Sequence, residues 1–365
     1  MIILKYQKFV NTIRKTGFNQ LNISPIFITG IYRSGSTLLT RVLDAHPELA
    51  VTYETVHFMR FCYQRYNPLT DDNIQQLLSH VNKRIYKRYG LSFNPDVVMD
   101  MLNNEQRINY GIIYDSLMKT LLLLNTNARR WGEKTLVAWK EIPDFLEMFP
   151  EGKVILTIRD PRAVLCSFKK FTHEPDPNYL DSIFAYLDLL DTIFEYQKNL
   201  SENSFFVYKY EDFLDNPIRY CKIICDFLQI EFTPLMLDFN QYKDRQGNNW
   251  KGNSAFVNNV NMISTSFKDL WKEKILPEDL LLLESILNDK MLRIGYSISN
   301  NRQGSEVFYK IFDKIKKSDL IKERFCQWIL SGKGVQSYPS DPKNPKNWNK
   351  ETADCSYRSV NEFSL

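Results

Sequence analysis

The sequence predicts an α/β fold, a parallel central sheet covered by helices on both faces. Two short runs, residues 26–29 and 153–158, are apolar without alternation, as strands buried on both faces require. Each runs through a short polar turn into a segment with helical apolar spacing, residues 36–45 and 163–170. Strands alternating with helices imply a parallel sheet whose ligand site lies at the carboxyl ends of the strands.

The first unit organises the chain. Apolar positions Leu38, Leu39, Val42 and Leu43 mark a helix that Pro47 stops. Gly30 and Gly35 bound the turn before it at the spacing G-x4-G, with Ser36-Thr37 where a nucleotide triphosphatase has Lys-Ser/Thr. Free backbone N–H groups and the positive helix end point into such a turn, which makes it a phosphate cradle. Its cation is Arg33, inside the loop, and the Walker lysine is missing.

Composition sets the frame. A chain of 365 residues, 44% hydrophobic and 25% charged, buries one large core, so one catalytic domain with appendages is expected. A net charge of +4 gives no nucleic-acid footprint but suits an anionic ligand. Cys221 and Cys225 stand four apart with no second pair and no nearby histidine, so no metal site is expected, and the six scattered cysteines read as reduced core thiols. Residues 1–21 carry Lys5, Lys8, Arg14 and Lys15 and hold no apolar run long enough to span a bilayer. A basic helix packed on the domain and a bacterial cytoplasmic location are expected.

After the cradle, residues 49–51 form a short strand that delivers Glu54 and His57 to the same end of the sheet, where either would take a proton from an incoming hydroxyl. Residues 58–126 read as helical and aromatic-rich, a lid or acceptor wall containing Tyr63, Tyr66, Tyr86, Tyr89, Tyr110 and Tyr114. Residues 131–135 read as the end of a loop before a helix over 138–149, and His46 as a structural helix terminus. The second strand ends in Arg159-Asp160-Pro161-Arg162, with Ser167 about two helical turns on, so that Arg159 and Ser167 can face a second phosphate. The competing reading is a structural ion pair of Arg159 or Arg162 with Asp160.

The cradle, the segment Ile158-Arg159-Asp160-Pro161-Arg162-Ala163-Val164-Leu165-Cys166-Ser167 and their order resemble the sulfotransferases that use 3′-phosphoadenosine 5′-phosphosulfate (PAPS). Within them the pattern is most similar to protein-tyrosine sulfotransferases and the bacterial proteins like them. The run Arg33-Ser34-Gly35-Ser36-Thr37-Leu38, then Asp44-Ala45-His46-Pro47, then Tyr53-Glu54-Thr55 follows their order. The resemblance covers residues 24–298, between an extension at 1–23 and one at 299–365, where residues 338–349 read as irregular. It implies that Gly30, Arg33, Ser34, Gly35, Ser36, Thr37 and Leu38 hold the 5′-phosphosulfate and that Arg159 and Ser167 hold the 3′-phosphate. It also implies Glu54 as catalytic base, Lys134 as transition-state lysine and Tyr210 as a cofactor contact. In Trp250-Lys251-Gly252-Asn253-Ser254 it implies a closing loop, with Lys251 and Gly252 on the 3′-phosphate and Ser254 at the transition state. His57 is the alternative base.

This chain departs from the pattern at Tyr53, at Thr55-Val56-His57, and around Trp271, where Leu270 replaces a lysine and Lys272 follows. The implied reaction moves a sulfuryl group to an acceptor hydroxyl or phenol without a metal. A P-loop kinase or hydrolase acting on ATP and a non-catalytic nucleotide-binding protein are the alternatives.

Overall fold

A computed structural model of the protein describes residues 24–53, 56–124, 126–171, 176–243, 248, 268–299 and 304–337. Among them five strands form one parallel sheet in the order β2-β3-β1-β4-β5: β1 Ile26–Gly30, β2 Leu49–Tyr53, β3 Arg130–Lys134, β4 Lys153–Ile158 and β5 Phe205–Lys209. Pairing is parallel throughout, with Ile28 opposite Lys134, Tyr53 opposite Lys134, Gly30 opposite Thr157 and Ile158 opposite Lys209. β1 therefore lies between β3 and β4, and the chain moves to opposite sides of it. That reversal opens a crevice at the carboxyl ends of the central strands.

β3 corrects the expected loop at residues 131–135. Gly132, Glu133 and Lys134 have none of the β-branched character of a buried strand, yet they form its core. Gly132 is there for closeness: a Cβ on it would lie 3.1 Å from Ile26 Cβ and 3.2 Å from the Ile26 carbonyl. The helix expected over 138–149 is shorter, α6 Ile142–Met148.

The helices start and stop on local signals. α1 Ser36–Asp44 opens after Gly35, and the Asp44 carboxylate accepts the Val51 N–H at 2.8 Å, fastening its far end to β2. α2 is the single turn Phe58–Phe61. α3 Asp71–Tyr89 begins under the Thr70 hydroxyl, has Asp71 and Asp72 in its first turn and ends at left-handed Gly90. Asn94 and Asn109 cap α4 Pro95–Leu102 and α5 Tyr110–Met118 in the same way. Beyond β4 come α7 Pro161–Phe171 and α8 Asp181–Asn199. β5 leads into α9 Tyr210–Asp215 and α10 Pro217–Leu228, the latter capped by Asn216.

Two apolar cores flank the sheet. One, under α1 and α10, takes Ile26, Ile28, Leu38, Leu39 and Ile155. The other is larger and aromatic, and it contains Phe58, Tyr66, Tyr89, Tyr110, Tyr114 and Trp131. The tyrosines of the helical region thus pack the core rather than line an open wall, with Tyr86 exposed at 67%. Trp131 and Trp139 are fully buried, and each indole N–H donates to a carboxylate at 2.8 Å, Asp115 and Asp188 respectively.

After α11 Trp271–Lys274 and α12 Pro277–Arg293, the C-terminal extension supplies α13 Ser305–Lys317 and α14 Asp319–Ser331. These pack on the main core through Ile311, Ile315 and Ile321, with Lys314 on Asp279 at 2.5 Å and Arg324 on Asp181 at 2.9 Å. Residues 338–349 and the N-terminal extension lie outside the described residues. No described helix is long and apolar enough to cross a membrane.

Candidate active site

The cradle is rigid because its hydroxyls face inward. Ser34 Oγ donates to the Ile31 carbonyl at 2.6 Å and lies 2.7 Å from Thr157 Oγ1, which in turn bonds the Thr29 carbonyl at 3.2 Å. Thr29, Ser34 and Thr157 are all fully buried, so the Ser34 side chain shapes the loop. Leu38 likewise serves the fold: its side chain is in the core and its N–H donates to the Gly35 carbonyl at 3.0 Å.

Two glycines are obligatory. Gly30 has φ 148° and faces β4 so closely that a Cβ would lie 2.4 Å from the Thr157 carbonyl oxygen. Gly35 has φ 85°, and a Cβ there would lie 2.1 Å from the Tyr210 ring. Tyr210, the cofactor contact that the resemblance implies, forms the floor behind the turn, with the Arg159 guanidinium 4.7 Å over its ring. Arg33 itself has φ 64°, a left-handed conformation that costs a side-chain-bearing residue roughly 1–2 kcal/mol.

That conformation sends Arg33 toward the second strand end. Its Nε donates to Ser167 Oγ at 2.9 Å, and Arg159 Nη1 donates to the Arg33 carbonyl at 3.3 Å. Arg33, Arg159 and Ser167, far apart in sequence, thus share one wall. On the other side of the turn, Lys134 Nζ donates to Thr37 Oγ1 at 3.2 Å, so the β3 lysine reaches the first turn of α1 beside Ser36.

Acidic and phenolic groups unremarkable in the sequence clamp this frame. Tyr186 OH donates to the Arg159 carbonyl at 2.5 Å, and Glu211 accepts the Asp160 N–H at 2.9 Å and the Tyr296 OH at 2.7 Å. Arg162 makes the structural ion pair, at 2.7 Å from Asp160 and 3.0 Å from Glu284, under the Trp271 ring at 3.9 Å. Burial works against its charge, but the two carboxylates outweigh that and hold its pKa above the ordinary value. Arg159 is left to the cradle side. Single Glu, Tyr and Thr residues carry no pattern, so Tyr186, Glu211 and Thr157 are not legible in the sequence.

His57 is buried and left-handed, with its ring edge-on to Phe61. His46 is structural, as expected: Nε2 lies 2.8 Å from the Glu231 carbonyl and Nδ1 accepts the Glu48 N–H at 3.2 Å. Glu54, Lys251, Gly252 and Ser254 lie outside the described residues.

The chain is similar to known proteins in sequence and in fold. Residues 25–234 match the model of the sulfotransferase family. Protein-tyrosine sulfotransferase A of Caenorhabditis elegans is 25% identical over 351 residues, covering 94% of this chain and 84% of that protein. Protein-tyrosine sulfotransferase of Drosophila melanogaster is 22% identical over 60% of this chain and 40% of its own length. In fold, the sulfotransferase domain from the curacin biosynthetic pathway superposes with a TM-score of 0.51 at 22% identity, covering 76% of this chain and 99% of that domain. A family match spanning more than half the chain, over the cradle and both strand ends just described, makes this protein a member of the sulfotransferase family.

Proposed function

We propose that the protein transfers a sulfuryl group from PAPS to an acceptor hydroxyl or phenol. The observation that carries this reading is the shared wall, in which Arg159 reaches the Arg33 carbonyl at 3.3 Å and Arg33 reaches Ser167 at 2.9 Å. One continuous polar surface then serves a nucleoside bearing anionic groups at both its 3′ and 5′ positions. The residues fit such a donor: bare glycines bound the turn, and Tyr210 fills the space behind it so that the open side faces the ligand.

In this reading Glu54 accepts the acceptor proton as the acceptor oxygen forms its bond to sulfur. The bond between sulfur and the bridging oxygen breaks, and its electron pair leaves on the 5′-phosphate of adenosine 3′,5′-bisphosphate (PAP). Lys134, Arg33 and the N–H groups of Ser36 and Thr37 hold that charge, and Arg159 with Ser167 holds the 3′-phosphate. Lys251 and Gly252 join the 3′-phosphate contacts and Ser254 the transition state. His57 would be the base if Glu54 were not, but its burial and its packing on Phe61 suit a structural part. The names of the relatives make peptide tyrosine the first acceptor to try, beside sugar and small-molecule hydroxyls.

Incubation with sulfur-labelled PAPS or with γ-labelled ATP, with and without chelator, tests the reading. Label should pass from PAPS to the acceptor and survive chelation, because protein cations and backbone dipoles neutralise the leaving group. Turnover of ATP alone would overturn it.

A further inference from the structure

We infer that Glu133 is a positioning residue for transfer, holding the chain directly behind the proposed base Glu54. This rests on the sulfuryl-transfer reading above. Successive strand residues face opposite sides of a sheet, so adjacent positions of β3 have different tasks. Lys134 faces the cradle, where it bonds Thr37. Glu133 faces the aromatic core and is fully buried there.

Its carboxylate is met by four donors. Oε1 accepts the N–H groups of Val56 at 2.8 Å and His57 at 2.6 Å, and Oε2 accepts the Phe58 N–H at 3.3 Å and the Tyr114 OH at 2.5 Å. Tyr114 is itself pinned, stacked on Phe58 with ring centroids 4.2 Å apart and in contact with Trp131 at 4.8 Å. A buried carboxylate is costly unless its lone pairs are used, and here backbone donors use them. Just ahead of this knot, β2 ends at Tyr53, opposite Lys134. Both flanks of residues 54–55 are thus tied to β3, one by the strand ladder and one by Glu133. The same two-residue step of β3 that presents the lysine also fixes the backbone of residues 56–58. Displacement of a reacting group by about 1 Å can cost ~10²-fold in rate, so such a tether acts on turnover.

The test uses the full chain. Glu133→Gln keeps one carbonyl acceptor and turns the other oxygen into an NH₂ donor facing the Phe58 N–H and the Tyr114 OH. We expect kcat for transfer from PAPS to fall about 10- to 100-fold while KM for PAPS and Kd for PAP stay within about twofold. Tyr114→Phe removes one donor of four and should lower kcat by about two- to fivefold with the same unchanged affinity. A folded Glu133→Gln with wild-type kcat overturns the inference, as does a loss of kcat matched by an equal loss of PAP affinity. Should Glu133→Gln not fold, Tyr114→Phe decides alone, and wild-type kcat in that variant also overturns it. Wild-type protein that binds PAP but transfers nothing from PAPS would instead remove the underlying functional reading.

Discussion

The two halves of the sheet's carboxyl edge solve the same problem with different materials. On the β1–β2–β3 side the proposed anion site is mostly backbone: a glycine-bounded turn, the start of α1, and one lysine laid across from β3. On the β4–β5 side it is side chain: Arg159, whose own peptide is clamped by Tyr186 and Glu211 while Arg162 satisfies Asp160 and Glu284. Backbone dipoles fixed before reaction are suited to charge that develops during it, whereas a guanidinium is suited to charge already present in the ground state. The first half should therefore govern rate and the second affinity.

The largest effect expected from this division is on Lys134→Ala, which should lower turnover by ~10²–10³-fold with PAP affinity little changed. Rapid-quench turnover alongside calorimetric titration would show it, and equal losses in both would erase the distinction between halves. Arg159→Ala should do the converse, weakening PAP by about 10- to 100-fold, the worth of a charge-assisted contact of roughly 1.5–3 kcal/mol, with rate per bound complex nearly preserved.

A third substitution addresses the frame that joins the halves. Thr157→Val removes the hydroxyl that lies between Ser34 Oγ and the Thr29 carbonyl, in a site with no access to solvent. Stability should fall by about 1–3 kcal/mol, read from denaturant midpoints. An unchanged midpoint would mean that the cradle does not depend on this link to β4.

The smallest effect is one of pH. Burial raises the Glu133 carboxyl above its ordinary 4.5, partly offset by the donors around it, so the folded chain keeps that proton to a higher pH than the unfolded chain. Stability from the group is fully present below about 4.5 and is lost as pH rises through the raised value. The Tm advantage of wild type over Glu133→Gln should shrink across that window. A difference that stays flat with pH would place the carboxyl in an ordinary, solvated-like state.

How much of this was legible in the sequence follows from the same contrast. β1 with its turn and α1, and β4 with α7, announced themselves because continuous apolar runs and bounded glycines have few other uses. β3 did not, because Gly132, Glu133 and Lys134 are chosen for close approach, tethering and charge rather than for strand propensity. Tyr66, Tyr89, Tyr110 and Tyr114 looked like a binding wall until their burial placed them in the core. Arg159 and Arg162 were interchangeable on paper, and the ion pair with Asp160 and Glu284 separates them. α13 and α14 pack on the main core through Ile311, Ile315 and Ile321, with Leu320, Phe325 and Trp328 partly buried against it, in an extension that the resemblance does not cover.

If both halves grip one molecule, Arg159 should be felt only through the donor's 3′-phosphate. Wild type and Arg159→Ala are titrated with PAP and with adenosine 5′-phosphate, which differs from PAP only in lacking the 3′-phosphate. Wild type should prefer PAP by about 10- to 100-fold, and Arg159→Ala should lose this preference while binding adenosine 5′-phosphate as before. An equal preference for PAP in both proteins would contradict it.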